Sequence, residues 1–224
     1  MITPYDWQEG IGNRAQYIEG KLQHGSPVLA VSLTAGILIY TRRRQSRKVF
    51  EIYDRLAFSA IGQQSDVEAL RSAAVEFAHQ EGYNRSEQDV TIQRVVTALS
   101  APVKKAFADF SSGPLVARSV FAEIGDSVDG DIYFILNYDG DYHQSKRAAA
   151  VAGTPELQEQ AEGSLGEIPV DTNPQDAVST LAEIWETTFE SADMDAKELS
   201  ALVAECMLVE RDTHREDRFR QLEL

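Results

Sequence analysis

The chain has 224 residues and carries 36 acidic against 21 basic side chains, which gives a formal net charge of −15. This acidity argues against a nucleic-acid partner, because binding to phosphates requires a cationic face. No apolar run approaches about 18 residues and no signal peptide is readable, so we expect no membrane partner and a cytoplasmic protein. The chain contains no linker rich in Gly, Pro and Ser, which predicts one domain over residues 1–224.

The N-terminal segment is expected to be a weak helix. Residues 3–22 carry a loose apolar face, while three glycines lower the intrinsic helix propensity; the face consists of Trp7, Ile11, Tyr17, Ile18 and Leu22. A marginal helix at a chain terminus needs neighbours to hold it. In an oligomer, adjacent subunits can supply them.

Residues 25–62 contain a strand hairpin that occurs twice. Four short apolar segments are separated by turns, and they cover residues 25–33, 36–41, 48–52 and 56–61. The turn between the two hairpins is basic, with Arg42, Arg43, Arg44 and Arg47 ahead of Lys48. The segment ends at Gly62.

Two helices follow the doubled hairpin. Ser65 and Glu68 have the spacing of a capping box, which predicts that the first helix starts at Ser65 and ends near Gly82. Apolar residues at helical spacing predict a second helix after Ser86 that reaches Phe110. Pro102 lies inside this helix and is expected to kink or break it.

The second half of the chain returns to strands and then to helices. Residues 116–124 and 131–138 are strand-like, and Asp139 with Gly140 predicts a hairpin turn leading to a strand over 147–152. Helices are predicted at 155–161 and 177–189, where Thr154-Pro155 and Asn173-Pro174 supply the starts. A final hairpin over about 200–210 and 216–222 completes the chain. This order predicts an α+β fold in which two helical layers enclose two antiparallel sheets.

The side chains that commonly bind metals do not form a recognisable site. His24, His79, His143 and His214 are scattered, and the aspartates around Gly130 lack the spacing of a calcium loop. No glycine-rich phosphate loop is present, so we expect no cofactor. The single cysteine, Cys206, lies in the apolar run 202–209 and is predicted to pack in a strand, which favours a reducing compartment.

Taken in order, these segments resemble the N-terminal-nucleophile hydrolase fold, and within it the alpha subunits of bacterial proteasomes. The residues that carry the resemblance are Gly25-Ser26, Ala35-Gly36-Ile37-Leu38, the run 48–62, Leu70-Arg71, Phe77-Ala78, Gly82-Tyr83 and Tyr138-Asp139-Gly140. The resemblance extends over about residues 5–210. It implies a four-layer αββα sandwich of two antiparallel sheets, with an extra N-terminal helix.

The resemblance also implies that this subunit is not the catalytic one. Catalytic beta subunits use an N-terminal threonine that is freed by cleavage of a Gly-Thr bond before the first strand. Here Gly25 is followed by Ser26 and Pro27, and the Gly153-Thr154 pair lies in the second half of the chain. An uncleaved helix before the first strand is instead typical of alpha subunits. A divergent hydrolase that exposes Ser26 by processing is an alternative, and a stand-alone oligomeric scaffold ring of the same fold is another.

Further roles follow from the resemblance. Alpha subunits form homo-heptameric rings that scaffold the beta subunits, gate the entry of unfolded protein substrates and dock a ring ATPase activator. The activator-tail site implied for this chain is Lys48, Gly25 and Gln63, and the gate and ring contacts are Tyr5, Asp6 and Trp7. Residues 1–24 would form the N-terminal helix and gate segment, and residues 211–224 a C-terminal tail.

The basic turn leaves two uses open. It could bind acidic activator surfaces, or it could contact a neighbouring subunit. Lys48 itself could receive a carboxylate, since a carboxylate that leaves water needs a cation and hydrogen-bond donors. Alternatively, Lys48 could be one more solvated cation among the arginines around it.

Overall fold

The structure, a computed structural model, describes residues 4–190, 201–213 and 217–223. Over these residues the helices are α1 (Pro4–Leu22), α2 (Gln64–Asn84), α3 (Ile92–Ala108), α4 (Pro155–Gly166) and α5 (Pro174–Glu190). The strands are β1 (Val28–Leu33), β2 (Gly36–Arg43), β3 (Val49–Tyr53), β4 (Leu56–Gly62), β5 (Ala117–Glu123), β6 (Ile132–Leu136), β7 (Tyr142–Ser145), β8 (Ala148–Val151), β9 (Val203–Glu210) and β10 (Phe219–Gln221).

The strands form two five-stranded antiparallel sheets. The first sheet has the order β10-β9-β2-β1-β8 and the second has the order β3-β4-β5-β6-β7. The two predicted hairpins therefore lie in different sheets, with β1 paired to β2 in one and β3 paired to β4 in the other. The basic turn is the connection between them.

The core confirms the predicted α+β sandwich. Alternate residues of β1 face opposite ways: Val28 and Ala30 belong to the core between the sheets, whereas Leu29 and Val31 pack with Trp185 of α5. On the far side, β4 and β5 pack against α2 and α3. Because both faces of the central strands are buried, their sequences are continuous apolar runs rather than alternating ones.

The predicted helix start at Ser65 is wrong. Helix α2 begins at Gln64, and the side chain of Gln63 before it does not cap a backbone N–H of the helix. Ser65 therefore lies inside the first turn, and Glu68 forms an ion pair with Arg71 instead of reaching back. The capping-box spacing misled because the chain enters the helix directly from the end of β4.

The predicted break at Pro102 is also wrong, since α3 continues through it. Pro102 is exposed, so the missing N–H and the ring lie on the outer face of the helix. The buried face, which includes Val95, Leu99 and Val103, still packs against the second sheet. The helix ends at Ala108, short of the predicted Phe110.

One strand was missed, and this changes a connection. The turn at Asp139 and Gly140 leads to β7, which pairs with β6 at the edge of the second sheet. The predicted strand over 147–152 is β8, which crosses to the first sheet and pairs with β1. The residues of β7 are polar and largely exposed, and they therefore lack the apolar pattern that identifies a strand.

The other strand predictions near the C-terminus hold. Cys206 is buried in β9, as predicted, and burial raises the pKa of its thiol to about 12. Residues 200 and 216, at the predicted ends of the last hairpin, lie outside the described residues, as does His214. Among the described residues, no helix is both long enough and apolar enough to cross a membrane.

Candidate functional site

A cavity of about 520 Å³ opens where the basic turn, the residues before β1 and the first turn of α2 meet. Its polar lining combines main-chain and side-chain groups of His24, Gly25, Ser26, Arg42, Arg43, Arg44, Gln45, Ser46, Arg47, Lys48 and Gln64. Its apolar lining comes from Ala60, Val67, Phe189 and Leu202, and Gly62 completes the wall. The fold brings these residues together from five separate parts of the chain.

Lys48 lies immediately before β3 and is partly buried. Its ammonium donates a hydrogen bond of 2.6 Å to the carbonyl oxygen of Ser26. Removal of the ammonium from water lowers the pKa of Lys48 to about 7, and the nearby charge of Glu205 offsets only part of this effect. The charge of Lys48 is therefore sensitive to pH near neutrality.

Glu205 of β9 is a site residue that the sequence reading missed. Its carboxylate is 2% exposed and accepts hydrogen bonds from the backbone N–H groups of Lys48, at 3.0 Å, and Val49, at 3.4 Å. The Nε of Arg43 lies 3.3 Å from the same carboxylate. Glu205 of β9 thus holds the start of β3 in place through these hydrogen bonds. The available signal was an acidic residue inside the apolar run 202–209.

The arginines of the basic turn differ in their surroundings. Arg42 forms an ion pair of 2.5 Å with Glu186, and its guanidinium lies 4.5 Å from the ring centroid of the buried Trp185. Arg44 and Arg47 are exposed. Arg47 makes one hydrogen bond, of 3.4 Å, to the side-chain oxygen of Gln221.

Of the other two predicted tail-site residues, Gly25 lines the cavity and Gln63 does not. Gly25 lines the cavity beside Lys48, and a Cβ there would lie 2.9 Å from the carbonyl oxygen of Leu22 and 3.0 Å from the Cβ of Ile61. The chain therefore passes too close to these atoms for a larger residue. Gln63 is not among the lining residues; its side chain bonds Ser65 at 3.2 Å. Its neighbour Gln64 lines the wall instead.

The predicted gate residues lie together at the start of α1, outside the cavity lining. Tyr5 is 76% exposed, and Asp6 is the acidic residue of the first helical turn. Trp7 is 44% exposed and packs edge-on against Phe110, with 5.1 Å between the ring centroids. The site predictions therefore correspond to two separate locations, the cavity and the beginning of α1.

Contacts within the chain hold helix α1, although it was expected to be marginal alone. Arg118, 4% exposed, binds both carboxylate oxygens of Glu19, at 2.9 and 3.1 Å. Arg14 donates to backbone carbonyls at and beyond the end of α3, and Ile18 and Leu22 are fully buried in the core between the sheets. Such anchoring compensates for the weak intrinsic propensity of the helix.

Comparison with known proteins identifies the family. The model of the family described as "Proteasome subunit" matches residues 23–204. Proteasome subunit alpha of Xylanimonas cellulosilytica is 33% identical over 146 residues, which cover 64% of this chain and 59% of that protein. The corresponding protein of Jonesia denitrificans is 31% identical over 145 residues, or 64% of this chain and 61% of that protein.

Other relatives match along almost the whole chain. Proteasome subunit alpha of Streptomyces avermitilis is 26% identical over 230 residues, which cover 99% of this chain and 87% of that protein. By contrast, the chain spans only about three fifths of the length of the Xylanimonas and Jonesia relatives. The predicted family resemblance is confirmed: the chain belongs to the proteasome subunit family, and the relatives that it resembles are bacterial alpha subunits.

Proposed function

We propose that this chain is a non-catalytic alpha subunit of a proteasome core particle. The observation that carries the proposal is the docked helix α1, which leads directly through Gly25 and Ser26 into β1. A nucleophile of the N-terminal type needs a free amine at the start of the first strand. Here the segment before Ser26 is anchored to the core, and the Ser26 hydroxyl donates a hydrogen bond of 2.5 Å to the carbonyl oxygen of Arg42.

In this proposal, seven copies form an outer ring in the cytoplasm. The ring scaffolds the beta subunits, which carry the threonine-protease activity, and admits unfolded protein substrates. The beginning of α1, with Tyr5, Asp6 and Trp7, contributes to the gate and to contacts in the ring. Exposed aromatic side chains on an anchored helix support this role, because such side chains are enriched at protein interfaces.

The cavity is proposed to receive the C-terminal tail of a ring ATPase activator. An ammonium group has three donors, and Lys48 uses one of them on the carbonyl of Ser26. The remaining donors can bind a terminal carboxylate beside Gly25. The apolar residues Val67, Phe189 and Leu202 offer a surface for the side chains of the tail.

Tail docking is expected to depend on pH. Below pH about 7 Lys48 is charged, and as the pH rises through the pKa it loses its proton. Affinity for a synthetic tail peptide with a free C-terminus should therefore fall at higher pH, at most about tenfold per pH unit. The bound carboxylate favours the ammonium form and raises the pKa of Lys48 in the complex, so the fall begins at the pKa of the empty site and levels off above the pKa of the complex.

Two variants of Lys48 make this test specific. Lys48→Arg keeps a permanent cation, so its affinity should change little from about pH 6 to about pH 9, and Lys48→Met should bind weakly throughout. Arg43 and Arg47 also line this cavity, and Glu205 of β9 is paired with Arg43 beside it; all three remain in both variants. Any pH dependence that survives in Lys48→Arg belongs to a group other than Lys48. Fluorescence anisotropy measures the affinity, and equal binding of a C-terminal amide would contradict carboxylate recognition.

A further inference from the structure

We infer that the cavity selects acidic tails: a peptide C-terminus that presents two carboxylates, one terminal and one on a side chain, together with an apolar side chain. The inference rests on the proposed function of the cavity as a docking site for a tail. It adds the chemical class of tail that the site prefers, and it assigns a role in specificity to Arg47.

The first observation is the concentration of positive charge. Five of the 21 basic side chains of the sequence belong to the lining of this one cavity, namely Arg42, Arg43, Arg44, Arg47 and Lys48. Among the described residues that line it, none is Asp or Glu. The chain as a whole has a net charge of −15, so the cavity is a local exception. A concave site lined by one sign of charge attracts ligands of the opposite sign.

The second observation concerns which cations are already neutralised. Arg42 is paired with Glu186 and Arg43 with Glu205. By contrast, Arg47 bonds the neutral amide of Gln221, and Lys48 bonds a neutral backbone carbonyl. These two adjacent cations thus have hydrogen-bond partners that carry no charge, although the charge of Glu205 also acts on Lys48.

The third observation is the geometry of the two donors. Lys48 is partly buried and bonds Ser26 before β1, whereas Arg47 is exposed and lines the same cavity. A terminal carboxylate bound at Lys48 would leave the preceding residues of the tail to pass Arg47. A guanidinium presents a planar set of donors that matches a carboxylate. One acidic side chain in that part of the tail would therefore form a second charge-assisted contact.

The apolar part of the lining limits what else the tail can contain. Val67 of α2, Phe189 of α5 and Leu202 contribute apolar surface to the same cavity. A purely anionic ligand such as a free phosphate would leave this surface unused. A short peptide with an apolar residue at the end and an acidic residue before it uses both parts.

The test uses three fluorescein-labelled peptides and the full-length chain in the assembly in which it purifies. The first peptide is Gly-Ser-Gly-Ser-Glu-Ala-Leu with a free C-terminus, the second replaces its glutamate by glutamine, and the third is the C-terminal amide of the first. Affinities are measured by anisotropy for the wild type, Arg47→Gln and the control Arg85→Gln. Arg85 lies at the far end of α2 and is not part of the cavity lining.

We expect the glutamate peptide to bind the wild type about two- to fivefold more tightly than the glutamine peptide. This preference should disappear in Arg47→Gln, persist in Arg85→Gln and shrink at high salt, because salt screens exposed charges. Equal affinity for the two peptides, with loss of binding for the amide, would overturn the inference and leave the docking proposal intact. Failure of all three peptides to bind would overturn the docking proposal itself.

One further outcome separates a tail site from a contact between subunits. Native mass spectrometry of Arg47→Gln should give the same assembly as the wild type. If the variant changes the assembly, Arg47 is a subunit contact, and the inference is wrong.

Discussion

Asp131→Ala is expected to lower the free energy of unfolding by about 3 to 5 kcal/mol. Asp131 and Arg211 form a bidentate ion pair, with both contacts at 2.8 Å, and both side chains are buried. Arg211 also donates to the carbonyl oxygens of Leu33 and Gly125, so it joins the β1–β2 turn to the segment after β5. Removal of the carboxylate leaves a buried cation without a counter-charge, and urea unfolding measures the loss.

An exposed pair provides the matched control. Arg218 lies 3.8 Å from Asp54, and the two side chains are 34% and 58% exposed. Asp54→Ala should therefore change the free energy of unfolding by less than about 1 kcal/mol. If Asp131→Ala is no more destabilising than this control, the buried pair does not hold the turn in place.

Trp185→Ala is expected to cost a similar amount, about 3 to 5 kcal/mol. The indole is fully buried, stacks on Phe189 with 4.4 Å between ring centroids, and donates from Nε1 to the carbonyl oxygen of Pro27 at 2.9 Å. The guanidinium of Arg42 lies over the indole ring of Trp185, 4.5 Å from the ring centroid. The substitution creates a cavity beneath the residues that precede β1, so it should also weaken tail docking.

Trp7→Ala is the control for this second prediction. It also removes an indole side chain, but Trp7 is 44% exposed and packs edge-on against Phe110. We expect a loss of stability of at most about 1.5 kcal/mol, because an edge-on aromatic contact contributes roughly that much. Thermal unfolding compares the two variants, and an equal effect of both would contradict the placement of Trp185 in the core.

The sequence was sufficient where strands are buried on both faces. The predicted segments 36–41 and 56–61 correspond closely to β2 and β4. A short continuous apolar run between two turns is typical of a buried strand. It was insufficient where the local signal is polar or ambiguous. The exposed strand β7 carries no apolar pattern, and Pro102 is tolerated only because of the face on which α3 places it.

The same contrast holds for the candidate site. Gly25 and Lys48 could be predicted as neighbours, since the family resemblance implied one tail site for both, and both line the cavity. Gln63 was predicted in the cavity wall, but its neighbour Gln64 lies there instead. Helix α2 begins at Gln64, one residue before the predicted start at Ser65. Glu205 was missed because its contact with the start of β3 depends on long-range packing of β9.

Native mass spectrometry of the purified chain, alone and co-expressed with a beta-type proteasome subunit, tests the central claim most directly. The proposed function predicts a chain that retains residues 1–25 and forms rings of seven that incorporate the beta subunit. Loss of residues 1–25 would instead expose Ser26 and favour a hydrolase. A closed assembly that excludes the beta subunit would favour a stand-alone scaffold, and either result would contradict the assignment as an alpha subunit of a proteasome core.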